Sequence, residues 1–212
     1  MYTRLNEDPP KLHIFIYLAS ALILVVSCAV DIALDEWFEY CFWYFNLFYA
    51  NVENSTFSGD HSISHLHDDA CDESDDRDFI QAVCPEFCDN LDKFQTAGII
   101  MIVFTGLTFF ALILVISMHF MLLFKKRLNY KFAWLFMILP LLTYMLGFIF
   151  YCIVADVSGI RGTKGSQGFG NPKDFEWKEG MILAVIIIVF MGFNLAHGMI
   201  FTRKFLLVDK KN

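Results

Sequence analysis

AGIIMIVFTGLTFFALILVISMHFMLLF, Ala97–Phe124, runs for 28 residues without an Asp, Glu, Lys or Arg. Roughly 20 helical residues, each rising about 1.5 Å, cross a hydrocarbon core of about 30 Å. This stretch is therefore long enough to span a membrane and too long for an ordinary buried core helix. Three more runs share its character: Leu12–Leu34, Phe132–Ala155 and Met181–Thr202. Four such runs in 212 residues leave too little chain to cover them in water. The composition agrees, with 57% hydrophobic residues, 24 of them Phe, and only 18% charged; soluble domains carry about 25%. The sequence predicts one domain with spans at about 12–34, 97–124, 132–155 and 181–202. The first run exceeds the short apolar core of a signal peptide, lacks a small-residue cleavage site and ends in acidic and aromatic residues, so it reads as an anchored helix.

Lys and Arg set the orientation. Lys125, Lys126, Arg127 and Lys131 crowd the short loop at about 125–131. Arg203, Lys204, Lys210 and Lys211 follow the last span, and Arg4 and Lys11 precede the first. Short basic segments stay cytosolic, which predicts both termini inside and two outer loops, at about 35–96 and 156–180. The protein is expected in a secretory-pathway membrane, at the cell surface. The first outer loop holds fifteen acidic residues against Arg77 and Lys93.

Cys41, Cys71, Cys84 and Cys88 all fall in that loop, on the side where disulfides persist. The segment Arg77–Phe94 reads as a short helix, on which Cys84 and Cys88 are one turn apart. Cysteines so placed rarely meet the geometry of a disulfide. Cys41 and Cys71 are then each expected to take one of them, and spacing leaves open which. Cys28 and Cys152 lie in the spans and read as packing residues. Asn54-Ser55-Thr56 is a glycosylation sequon on the same side. The aromatic run WFEYCFWYFNLFYA, Trp37–Ala50, suits a strand, a lateral contact or an outer-leaflet anchor, since aromatics favour both sheets and the headgroup level.

Loop sizes and local motifs together resemble the claudin superfamily, which includes claudins, peripheral myelin proteins and auxiliary subunits of AMPA-type glutamate receptors. Trp37 follows the first span, where the family has a tryptophan. Phe169-Gly170-Asn171-Pro172, then Glu179-Gly180 opening the last span, is similar to the claudin aromatic-Asn-Pro and Glu-x-Gly pattern. Lys93–Ala97 is similar to the polar entry to helix two. The family's Gly-Leu-Trp signature does not occur, and four loop cysteines stand where it has two. The resemblance implies a membrane all-α four-helix bundle, with a small extracellular antiparallel β-sheet cap built from both outer loops and a short extracellular helix. It implies a non-enzymatic role through lateral and outer-loop contacts, structural, adhesive or barrier-forming as at cell junctions. The alternative is an auxiliary subunit modulating an ion channel or receptor.

Lipid gives helices no hydrophobic reason to associate, so small and polar residues must join them. Gly98, Gly106, Gly147, Gly192 and Ala196 are the expected packing positions, and Pro140 is expected to kink the third span. Asn194 and His197 lie deep enough to hydrogen-bond between helices. Asp31 and Asp156 sit at helix ends near water, and His119 nears the inner end.

His65, His67, Asp68 and Asp72 are the best metal-ligand candidates in the acidic loop. No EF-hand fits, because its glycine is missing, and a solvated acidic loop that attracts cations is the expectation. No cofactor is implied. HExxH, P-loop and GxSxG motifs are absent. A membrane thiol oxidoreductase is the third reading, but Cys84-x-x-x-Cys88 misses the usual CxxC by one residue. Acidity and membrane residence exclude nucleic-acid binding. Membrane lipids and other membrane proteins are the expected partners.

Overall fold

A computed structural model describes residues 11–41, 43–52, 61–68, 71, 87–124, 130–157 and 176–205. Among the described residues ten elements follow one another. They are α1 (Lys11–Ala33), β1 (Phe38–Tyr40), β2 (Trp43–Phe45), β3 (Tyr49–Val52), β4 (His61–Ser62), α2 (Ile63–His67), α3 (Phe87–Leu123), α4 (Tyr130–Val154), β5 (Glu176–Trp177) and α5 (Glu179–Phe205). The four long helices, α1, α3, α4 and α5, are long and apolar enough to cross a membrane. Only 28–33% of each span is buried within the protein. The rest is apolar surface, including Phe15, Phe110 and Phe193, which in water would be a severe liability. The chain is a multi-pass membrane protein.

The spans sit where the sequence puts them, with one difference. α3 begins at Phe87, ten residues before the expected span, and the described part of the expected short helix is continuous with it. Phe87, Leu91 and Phe94 fall at i, i+4 and i+7, and all three are buried. Continuing the helix keeps this stripe on one face, whereas a break would splay it. The short separate helix is instead α2, five residues long.

The chain forms two compact units, and each long helix contributes to both. The first comprises residues 1–29, 104–145 and 186–212. Its core gathers Tyr17, Val115, Met118, Ala133 and Met137. Polar contacts join its helices pairwise. Ser20 Oγ donates to Asn194 Oδ1 at 2.8 Å, and Thr108 Oγ1 meets Thr143 Oγ1 at 2.8 Å. His13 Nδ1 lies 3.5 Å from His197 Nε2, while Tyr17 stacks on His119 at 3.9 Å. His119 also bonds the Val115 carbonyl at 2.8 Å. Asn194 and His197 thus serve as interhelical contacts. α4 continues through Pro140; the Thr143 hydroxyl donates to the carbonyls of Leu139 and Pro140 at 2.9 and 3.1 Å.

The small residues divide unexpectedly. Gly147 is buried. Among the described residues nothing lies within 4 Å of a β-carbon built on Gly106 or Gly192, and Ala196 is exposed. Gly198, which the sequence reading passed over, makes the close contact. A β-carbon there would stand 2.8 Å from both Met137 Sδ and Tyr17 Cε2. The thioether can swing aside, but the Tyr17 ring is held by His119. Gly198→Val is therefore expected to cost about 1–3 kcal/mol through overpacking, and Gly192→Val less than about 0.5 kcal/mol. Unfolding in mixed micelles of rising SDS fraction measures both.

The second unit, residues 30–103 and 146–185, carries a five-stranded antiparallel sheet in the order β4-β3-β2-β1-β5. Strand β5 comes from the segment after α4 and pairs with β1, with Phe38 opposite Trp177. The two connecting segments thus share one sheet. Tyr40 faces Trp43 across a two-residue turn, and Cys41 there has φ 52°, the left-handed geometry that such hairpins demand. The described part of α4 closes similarly, with Asp156 at φ 49° and its N–H on the Ile153 carbonyl.

Candidate functional site

The sheet is where sequence patterns and geometry converge. Side chains alternate across a strand, so Phe38, Tyr40, Trp43 and Phe45 share one face. That face packs on the first turns of α3. Phe94 meets the rings of Phe38, Tyr40 and Phe45 edge-on or T-shaped at 4.7–5.7 Å. Phe87 packs beside Tyr40 and Trp43 at 6.4 and 6.0 Å. Asn90 Nδ2 donates to the Tyr40 hydroxyl at 3.0 Å, and Lys93 Nζ donates to Asn90 Oδ1 at 3.1 Å. Most of the aromatic run is therefore a core.

The opposite face holds a buried ion pair. Lys178 Nζ lies 2.8 Å from Glu39 Oε2, with side chains 20% and 4% exposed. The ammonium also sits 5.5 Å over the Tyr44 ring. Register explains the meeting: Phe38 stands opposite Trp177 and Glu39 opposite Glu176, so Lys178, whose N–H bonds the Trp37 carbonyl, lies diagonal to Glu39 on the same face, within reach of a long side chain. Nothing in the local sequence around either residue signals it.

Trp37 joins the two segments. It is 0% exposed. Its indole N–H donates to the Asp31 carbonyl at 2.9 Å, and its backbone N–H to the Phe45 carbonyl at 2.7 Å. The Trp37 carbonyl accepts from the Lys178 N–H at 3.1 Å, and the Glu36 carbonyl from the Gly180 N–H at 2.9 Å. Tyr151 packs on the ring at 5.2 Å. A β-carbon on Gly180 would lie 2.5–2.7 Å from three atoms of the indole, so only glycine admits the ring here. The structure thus brings together Trp37 and Gly180, which the sequence singled out separately; Glu179, beside Gly180 in the chain, is exposed. Phe169, Asn171 and Pro172 lie outside the described residues. Asp31 is fully buried, not at a watery helix end as expected; the Trp37 indole lies against its backbone carbonyl.

Among the described residues there is one disulfide, Cys71–Cys88, with Cα atoms 5.9 Å apart. It selects one of the two pairings that spacing left open. Cys41 is also disulfide-bonded; Cys84 and Asn54 lie outside the described residues. Cys28 and Cys152 take no part in a disulfide. Cys88 is the second residue of α3, so the bridge fastens the helix start to the segment after α2. It closes a separation of 17 residues, for which chain entropy gives about 3 kcal/mol. Cys71→Ser/Cys88→Ser is expected to lose about that much in the same SDS titration, and reductant is expected to shift the natural chain towards the double variant.

Of the metal candidates, His67 lies near carboxylates: 4.0 Å from Asp68 and 3.6 Å from Asp92. The side chain of His65 and all of Asp72 lie outside the described residues. Among those described, no three His, Cys, Asp or Glu side chains come together as a metal site needs. Fold and site define a multi-pass membrane protein bearing a disulfide-tied sheet module. No family model matches the sequence, and no curated protein matches it either.

Proposed function

We propose that this chain is a non-enzymatic, claudin-like four-span protein of the plasma membrane, with both termini cytosolic and the sheet outside. It acts through lateral contacts and through its outer segments as a structural, adhesive or barrier component. The observation that carries the reading is the β1–β5 pairing, which makes one folded module from two separate segments. Such a module holds a fixed shape for partners to recognise, whereas an acidic loop alone stays mobile. The Cys71–Cys88 bridge supports an oxidising side for it, and the basic residues near the ends of the spans support cytosolic termini. The meeting of Trp37 with Gly180 supports the claudin-like reading, since these are two of the positions on which the resemblance rests.

Purification of the native protein in mild detergent, followed by identification of co-purifying chains, tests the role. Like copies, or a junctional protein, are expected. A stoichiometric ion channel or receptor would replace this reading with that of an auxiliary subunit.

A further inference from the structure

The aromatic run divides sharply at Asn46. Before it the described rings are largely buried in the sheet; after it Phe48 and Tyr49 are 44% and 48% exposed. The turn that carries them is firmly built. The Asn46 side-chain oxygen accepts from the backbone N–H groups of Phe48 and Tyr49, the former at 2.7 Å. The Asn46 N–H bonds the Tyr49 carbonyl at 2.9 Å, and the Phe48 carbonyl accepts from Ile63 at 3.1 Å. Two rings are thus held outward by a turn that satisfies its own backbone.

The depth of the turn follows from α3. The Leu47 backbone rests directly on Gly98, whose missing side chain makes room for it. The last charged residue before Gly98 is Lys93, five residues earlier and about 8 Å along the helix at ~1.5 Å per residue. A headgroup layer is about 5–8 Å thick on each side. With Lys93 at the aqueous edge, Gly98 lies at the boundary of the hydrocarbon, and the turn lies with it. The helix surface there is already apolar: Ile99 and Val103 are 56% and 55% exposed. The chain from Tyr40 to Val52 carries no charge. Tyr, whose ring has one polar edge, favours this level of a bilayer, and Phe buries its ring at the headgroup–acyl boundary.

We infer that the Phe48–Tyr49 turn inserts between phospholipids at the headgroup–acyl boundary, pinning the sheet to the leaflet on its own side. The partner is lipid, and the surface continues that of the spans. The inference rests on the four helices crossing the membrane, and its test separates the two.

The full chain, reconstituted in palmitoyl-oleoyl-phosphatidylcholine vesicles, carries a photoreactive benzoylphenylalanine in place of Phe48, Ile99 or Asp92, one at a time. Mass spectrometry then identifies what each site captures. Ile99 is expected to capture phospholipid and Asp92 none. Phe48 is expected to give phospholipid adducts at a yield within about twofold of Ile99. Capture of a second copy at Phe48, or of nothing while Ile99 captures lipid, overturns the proposal. Failure of Ile99 to capture lipid overturns the membrane reading itself. Retention of the Cys71–Cys88 bridge, read by peptide mapping, verifies that each variant has folded.

Discussion

Lys178→Met is expected to destabilise the sheet unit by about 3–5 kcal/mol, because it removes the cation from a buried carboxylate. Glu39 is 4% exposed on its side chain and receives the ammonium at 2.8 Å. Water cannot reach it to replace that charge. The stability is set by the change in environment, so repairing the environment is expected to restore it. Glu39→Met/Lys178→Met removes both charges and is expected to recover most of the loss, since an apolar pair of similar volume is often equal to a buried ion pair. Added salt is expected to change little, because burial shields the pair from screening. Unfolding followed by tryptophan fluorescence across an SDS titration gives the cycle directly. A loss in the double variant equal to the sum of the losses in Glu39→Met and Lys178→Met alone would show that the pair is not coupled.

The second large effect concerns the indole that joins both segments. Trp37→Ala is expected to cost about 3–5 kcal/mol, the usual toll of a large ring removed from a packed site. The cavity would open among Asp31, Phe45, Tyr151 and Gly180, all fixed by helix or sheet. The reverse error is instructive. Gly180→Val puts a side chain where the indole stands and is expected to cost about 1–3 kcal/mol or more. In a Trp37→Leu background the same change is expected to cost much less. A coupling of about 0.5–3 kcal/mol between contacting residues is the signature of shared space. Strict additivity would mean that ring and glycine do not compete.

These two sites mark what was legible in the sequence and what was not. The four spans were legible, because oil-water partition depends on composition over a window and not on partners. Trp37 and Gly180 were legible through resemblance, although their contact was not. The ion pair was invisible: Glu39 and Lys178 lie far apart in the chain, and only the β1–β5 register joins them. The join between the expected short helix and the second span is not legible, because charge at Asp89, Asp92 and Lys93 ends the apolar window, while the buried stripe of Phe87, Leu91 and Phe94 continues the helix beneath it. Glycine spacing misled for a related reason. Gly192 and Ala196 share a helix face, but one-dimensional spacing does not say whether a face turns inward. Gly198, on a different face, is the one that meets Tyr17. Most of the aromatic run proved to be sheet core, which alternation in a three-residue strand is too short to announce. Disulfide partners were narrowed by helical spacing to two pairings, and only three-dimensional proximity separates Cys71–Cys88 from the other.

If two distant segments of the chain build one module on the non-cytosolic side of the membrane, as proposed, a tag placed in either must appear on that same side. Short epitope tags placed singly after Lys11-preceding residues at the N-terminus, after Asn212, within 53–60 and within 158–175 test it on intact and permeabilised cells. Antibody is expected to reach both internal tags on intact cells, and both terminal tags only after permeabilisation. Terminal tags exposed on intact cells would invert the orientation; internal tags on opposite sides would contradict the β1–β5 pairing on which the module depends.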